Sequence, residues 1–337
     1  MDTKVLVTLG PASLNKETVK ILSNKGVDLF RINLSHTKLI DLEGIIQKIQ
    51  SWANVPICLD SEGAQIRNQD MINECVSYEK GGTVKIHHDQ IIGDHEKISF
   101  TPQSVSRRLK IGDIIKVDFN STSLRIFEDA GDYLLATVEN GGVIGSNKAA
   151  DLNREIHLDA LTDKDKHALE IGLKLGLRDF SLSFTNTAED VKEIRKIIGS
   201  NANLISKIES IKGVINIGEI LPVVDQILID RGDLSRQISI EKIPFVQRKL
   251  ISYAKSKNVP VFVATNLLES MVKVRSPTRA EVNDVASTLL MGAQGLVLAA
   301  ETAIGAYPVE AVEMVYLLIR QYNKWTPEAS LKDIIEN

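Results

Sequence analysis

Eight short apolar runs recur along the chain: Lys4–Gly10, Val27–Asn33, Pro56–Gly63, Asp179–Phe184, Asn203–Glu209, Gln226–Leu234, Pro260–Asn266 and Gly295–Thr302. Most are rich in Val, Ile and Leu with few polar interruptions, as in parallel strands covered on both faces. Helical patterns follow them. Thr187 and Asp190 are spaced as a capping box ahead of Val191, Ile194, Ile197 and Ile198 on one face. Thr278 and Glu281 repeat that spacing before Val282, Val285 and Leu289, and Pro308 stands where a first-turn proline belongs. Strands alternating with helices define an α/β chain, either a closed (β/α)8 TIM barrel or a large doubly wound sheet, and the count of eight favours the barrel.

The alternation breaks once, after the third run. From about 68 to 153 the pattern becomes short alternating stretches (Thr83–His87, Ile114–Phe119, Leu124–Glu128, Tyr133–Val138), punctuated by Gly81-Gly82 and Gly141-Gly142. Thr162 and Asp165 then cap the delayed third helix. The expected organisation is a barrel domain from 1–67 and 154–337, with a small β-barrel-like cap at 68–153 inserted after the third strand. A length of 337 residues suits this, since such barrels commonly take about 250.

A formal charge of −4 with no Lys/Arg block argues against a nucleic-acid surface. Cys58 and Cys75 have neither disulfide nor metal spacing and read as reduced thiols. There is no signal-peptide layout at the start and no apolar run of the roughly 20 residues that would span a bilayer, so the expectation is a cytoplasmic protein with no membrane partner.

Polar residues at strand ends converge on a barrel's mouth. Lys207 and Glu209 alternate onto one face of the fifth run, where a bland reading is an ion pair closing the barrel. Asp233 follows Gly232 at the end of the sixth, where the bland reading is a turn with an Asp cap. Glu209 and Asp233 together suggest a hard divalent cation, Mg2+ or Mn2+. Arg31 suits phosphate, and Asn33 and Ser35 offer neutral oxygens. Asp60 and Ser61 end the third run with Arg67 just beyond, Thr265 offers a hydroxyl on the seventh, and Glu301 and Thr302 end the eighth. His36 alone reads as a solvated loop histidine.

The segments TLGPAS, RINLSH, SKIES, DRGDL, ATNLLESM, SPTRAEVNDVA and GAYPVEAV, in this order from Lys4 to about Ile319, resemble the pyruvate kinase family. The resemblance implies a phosphotransferase that moves the phosphoryl group of phosphoenolpyruvate to ADP, giving pyruvate and ATP. It implies Lys207 bridging the phosphoryl group, Glu209 and Asp233 as divalent-metal ligands, and Arg31 on the phosphate. The backbone at Gly232 and Asp233, with Thr265, would cradle the substrate carboxylate, Thr265 also lying near the face where the enolate is protonated. Asn33, Ser35, Asp60 and Ser61 match a K+ site, and His36, Arg67 and Lys148 match nucleotide contacts. A homo-oligomer is possible. The family's usual C-terminal effector domain is expected to be absent, the sequence ending at Asn337.

Several positions depart from the family pattern. Its Asp-Thr-Lys-Gly-Pro-Glu-Ile-Arg is here Asp60-Ser61-Glu62-Gly63-Ala64-Gln65-Ile66-Arg67, which bears on the monovalent ion. Its eighth-strand Ser-Gly-Glu-Thr-Ala-Lys-Gly-Asp is Ala299–Ala306, its cap Asp-Asp-Gly is Asp118-Phe119-Asn120, and Asn186 stands where the family has arginine. Two other functions remain open: a metal-dependent lyase or aldolase working through a pyruvate enolate, for which Lys207 would be superfluous, and a non-catalytic metabolite-binding paralogue.

Overall fold

The computed structural model describes residues 3–336, the side chains of 333 and 336 excepted. The chain divides into two compact units, 1–63 with 160–337, and 64–159.

In the larger unit all eight apolar runs are strands: Lys4–Thr8, Leu29–Asn33, Ile57–Asp60, Asp179–Leu182, Asn203–Ile208, Gln226–Asp230, Val261–Ala264 and Gly295–Leu298. They pair in parallel in sequence order and close, with Leu6 beside Leu29 on one side and Val7 beside Leu298 on the other. This is the TIM barrel expected. Its interior holds Leu6, Leu29, Cys58, Ile205, Leu228, Phe262, Ala264 and Val297, while a larger apolar shell fills the space between strands and helices. Gly295 is a packing requirement, since a Cβ there would lie 1.8 Å from Phe262 Cδ1, so the missing side chain is what admits the ring.

The three capping boxes form as read, at Thr162/Asp165, Thr187/Asp190 and Thr278/Glu281, and Pro308 opens the last long helix. Asp165 does more than cap. It also accepts from the backbone of Glu62 (2.7 Å) and Gly63 (3.1 Å), pinning the exit of the third strand to the helix Asp163–Lys174. Gly63 has φ +73°, and a Cβ there would meet Ser183 O at 2.4 Å.

Most strands end two or more residues short of the apolar runs, and two runs continue into an α-helix. The sixth strand stops at Asp230, which caps the helix Arg231–Gln237 by accepting from Gly232 N, so Asp233 is helical. The eighth stops at Leu298, and Glu301 and Thr302 sit in the turn of helix Ala300–Ala303 rather than on a strand end. Both are buried scaffold. Glu301 accepts from the backbone of Leu268 and Ala299, and Thr302 donates to Thr8 O.

The smaller unit is itself a closed barrel of seven strands, with a two-stranded sheet, Cys75–Tyr78 and Gly142–Gly145, beside it. Pairing in it is antiparallel except between Thr83–His87 and Lys97–Thr101. It has its own apolar core, including Ile86, Phe100, Val117, Leu124 and Ala136. No helix among the described residues is long and apolar enough to cross a membrane.

Candidate active site at the strand ends of the barrel

The fifth strand carries Lys207 and delivers Glu209 one residue past its end, both buried. Lys207 Nζ lies 2.8 Å from Glu209 Oε1 and 3.2 Å from Asp60 Oδ2, and it donates to Ser183 Oγ at 2.9 Å. Asp60 ends the third strand and also takes Arg31 Nη1 at 3.1 Å and Ser181 Oγ at 2.6 Å. One buried carboxylate thus holds the two cations that the second and fifth strands contribute. Burial alone would drive the Lys207 pKa down, but Asp60 and Glu209 outweigh it and raise it, so the ammonium stays charged. Burial would likewise raise Asp60, yet Lys207 and Arg31 hold its carboxyl below the usual range.

Glu209 is the opposite case. Burial pushes its carboxyl up to about 8 against the pull of Lys207, with Asp233 and Asp230 adding to the rise. Its Oε2 accepts from Phe184 N at 2.7 Å, on a residue held at φ +51°. Its Oε1, although close to Lys207 Nζ, is not aligned with it as a hydrogen bond and has no such partner. A buried acceptor without a donor costs free energy unless something else satisfies it.

Glu209, Asp230 and Asp233 each present a ligand atom within 4.8 Å of the others. Asp233 pairs with Arg236 at 2.9 Å, and burial, followed by the neighbouring Asp230, raises its pKa. These carboxylate oxygens, with Glu209 Oε1 lacking an aligned hydrogen-bond donor, fit a hard divalent cation. Sequence reasoning found Glu209 and Asp233 but missed Asp230, which reads as the last residue of an apolar strand. It also missed Ser181 and Ser183, whose small side chains carry no signal until the fourth strand is laid beside the third. The one available clue to Asp230 was its spacing from Gly232, that of an N-cap.

Thr265 stands just past the seventh strand at φ +76°, a conformation that β-branched residues rarely adopt. The strain is held from two sides: Thr265 O accepts from Arg231 Nε (3.1 Å) and Nη2 (2.6 Å), and Arg231 is anchored on Asp284 at 2.6 Å. Thr265 Oγ1 donates to Asp230 Oδ1 at 2.6 Å, and Gly232 N donates to the same oxygen at 3.1 Å. Two donors expected to cradle a substrate carboxylate are therefore engaged by a carboxylate of the chain itself.

The other expected residues divide. Asn33 Oδ1 accepts from Ser35 N and opens the 3-10 turn Leu34–His36, where Ser35 is buried and His36 exposed. Ser61 Oγ accepts from Ser183 N, and Asp60 is occupied as above. Glu62 pairs with Lys164 at 2.8 Å, and Lys164 also donates to Leu34 O. Arg67 and Lys148 belong to the smaller unit, where Arg67 donates to Asn147 O and Lys148 lies 3.6 Å from Asp118. Cys58 and Cys75 are free thiols, and burial raises the Cys58 pKa far out of reactive range.

Residues 1–312 match the family model of the pyruvate kinase barrel domain. Pyruvate kinase of Clostridium acetobutylicum is 35% identical over 321 residues, covering 92% of this chain and 68% of that one. Pyruvate kinase of Thermotoga maritima is 33% identical over 333 residues, covering 96% and 71%. Among solved structures, a pyruvate kinase from Cryptosporidium parvum superposes with a TM-score of 0.83 at 33% identity, over 97% of this chain and 70% of that one.

Proposed function

The chain belongs to the pyruvate kinase family, and from that premise we propose which of its residues carry phosphoryl transfer between phosphoenolpyruvate and ADP. It is a phosphotransferase of the pyruvate kinase type, a glycolytic enzyme class acting on small molecules. Its larger unit, 1–63 with 160–337, is the catalytic barrel, and 64–159 is the inserted domain expected from the sequence at 68–153.

The observation that carries the assignment is the buried arrangement of Arg31, Lys207, Asp60 and Glu209, joined by three contacts of 3.2 Å or less. Phosphoryl transfer spreads charge over the equatorial oxygens and needs fixed cations more than covalent help. Lys207 is such a cation. Asp60 keeps it protonated and Ser183 fixes its direction, so it meets the developing charge without reorganising. Arg31, held by Asp60 and by Thr8 Oγ1 at 2.9 Å, binds the phosphoryl oxygens from the other side. Gly232 N and Thr265 Oγ1 hold the substrate carboxylate in exchange for Asp230, and the Thr265 hydroxyl conveys the proton to the enolate carbon.

Glu209 and Asp233 would hold Mg2+ or Mn2+, which when bound withdraws charge from the phosphoryl and enolate oxygens. For the nucleotide, His36 is the candidate contact of the larger unit, and Arg67 and Lys148 are the candidates of the smaller one. Asn33, Ser35, Asp60 and Ser61 remain the residues for a K+ ion, but the Arg31 and Lys207 charges on Asp60 reduce what a monovalent cation can add there.

The test is an assay coupled to lactate dehydrogenase, with phosphoenolpyruvate, ADP or another nucleoside diphosphate, and Mg2+ or Mn2+. The expected result is pyruvate formation that requires the divalent ion and survives replacement of K+ by tetramethylammonium. No pyruvate with any nucleoside diphosphate would refute the assignment, and loss of most activity without K+ would refute the reduced role of that ion.

A further inference from the structure

We infer that Asp230 is a third carboxylate ligand of the divalent cation, making this a three-carboxylate site; the inference rests on the catalytic reading above. Three observations carry it. First, a ligand atom of Asp230 lies within 4.8 Å of one on Glu209 and one on Asp233, in a pocket where Glu209 is fully buried and Asp230 8% exposed. Second, Glu209 Oε1 is a buried acceptor with no aligned hydrogen bond, held only by its ion pair with the Lys207 ammonium at 2.8 Å.

Third, the charges do not balance. Asp60 is matched by Arg31 and Lys207, Glu209 shares Lys207, and Asp233 has Arg236. Among the described residues Asp230 is met by neutral donors, Thr265 Oγ1 and Gly232 N, both on Oδ1. The cluster of Asp60, Glu209, Asp230 and Asp233 therefore sets four carboxyl groups against the three cationic side chains Arg31, Lys207 and Arg236. Packing three carboxylates this closely, with Glu209 and Asp230 buried and Asp233 half-buried, is unfavourable unless a cation joins them, and hard oxygen ligands select an ion such as Mg2+ or Mn2+.

The anchoring of Oδ1 gives Asp230 a defined direction. Thr265, fixed in a strained backbone, and the first turn of helix Arg231–Gln237 grip one oxygen. The carboxylate is thus oriented before the ion arrives, and binding needs little side-chain ordering.

The test is direct titration of the protein with Mn2+, free ion followed by its electron paramagnetic resonance signal, without substrate or nucleotide. Asp230→Asn keeps the shape and an oxygen for Thr265 and Gly232 but loses the charge. We expect wild type to bind one Mn2+, Glu209→Gln to lose it, and Asp230→Asn to bind at least tenfold more weakly with a melting temperature within about 3 °C of wild type. Asp230→Asn binding at wild-type affinity while Glu209→Gln fails would overturn the inference and leave the catalytic reading standing. Wild type binding no Mn2+ would overturn both.

A second measurement needs no variant: water ligands on the bound Mn2+ can be counted by line broadening in 17O-enriched water. Three carboxylates leave an octahedral ion about three waters, whereas two leave about four. Four or more waters would contradict the third ligand even if every variant misfolded.

Discussion

Asp60→Asn removes the carboxylate that neutralises both site cations. Asp60 is 1% exposed, 3.1 Å from Arg31 Nη1 and 3.2 Å from Lys207 Nζ, with Ser181 Oγ at 2.6 Å. The amide keeps the volume and one acceptor oxygen but leaves two buried positive charges facing a dipole. Breaking one side of a buried ion pair typically costs about 3–5 kcal/mol. Lys207 retains Glu209 at 2.8 Å, so the lower end, about 3 kcal/mol, applies. At about 2–4 °C per kcal/mol for a domain of this class, the melting temperature should fall by roughly 6–12 °C. Turnover should fall as well, because Lys207 and Arg31 lose their common anchor. Circular-dichroism melting and the coupled assay on one preparation measure both effects. A variant melting within about 2 °C of wild type with undiminished turnover would refute the view that Asp60 holds the two cations.

Lys207→Met should cost about 3–4 kcal/mol in the transition state, a loss of a hundredfold or more in turnover, with Mn2+ still bound; more than about a tenth of wild-type turnover would contradict this. Gly295→Ala places a methyl where Phe262 Cδ1 stands 1.8 Å away, and the overpacking should cost about 3 kcal/mol or prevent folding, read from melting and soluble yield; an unchanged melting temperature would count against the packing described. Glu281 gives a pH dependence. Burial would raise its carboxyl, but hydrogen bonds from Ser270 and Thr278 outweigh it and hold the pKa below the ordinary 4.5. A depressed carboxylate contributes stability that is complete above its unfolded value and is lost as pH falls through the folded one. Glu281→Gln should therefore lower the melting temperature at pH 7 and narrow its gap to wild type as pH drops below about 4.5; a gap independent of pH between 7 and 3 would contradict the assignment.

The barrel was legible because its signals are local. Runs of Val, Ile and Leu mark strands buried on both faces, and the capping boxes at Thr162, Thr187 and Thr278 need only a residue and its third neighbour. Strand ends were less so. Asp230 and Leu298 close their strands through a cap and a turn that apolar pattern does not encode, which is why Asp233 and Glu301 were read one element too early. In the smaller unit the short strands Ile66–Asn68, Lys97–Thr101 and Ala149–Leu152 escaped notice, being three to five residues long and defined by their pairing. Within the site, Lys207 and Glu209 could be read together because strand alternation puts them on one face. Asp60 as the partner of Lys207 lies 147 residues away in sequence, and Ser183 lies 24 away, so their roles emerge only when the barrel closes.

Solvent exchange of the methyl protons of pyruvate tests the central claim most directly, because it needs the strand-end site and no nucleotide turnover. Pyruvate in D2O is followed by proton NMR with the protein, Mg2+ or Mn2+, and inorganic phosphate as the probe for the phosphoryl position. The polarised carbonyl should favour loss of a methyl proton, with Thr265 as the conveying hydroxyl. The account predicts exchange that requires the divalent ion, is stimulated by phosphate, and disappears in Glu209→Gln and Asp233→Asn. Exchange undiminished in both variants, or none in wild type under any metal and anion condition, would contradict it.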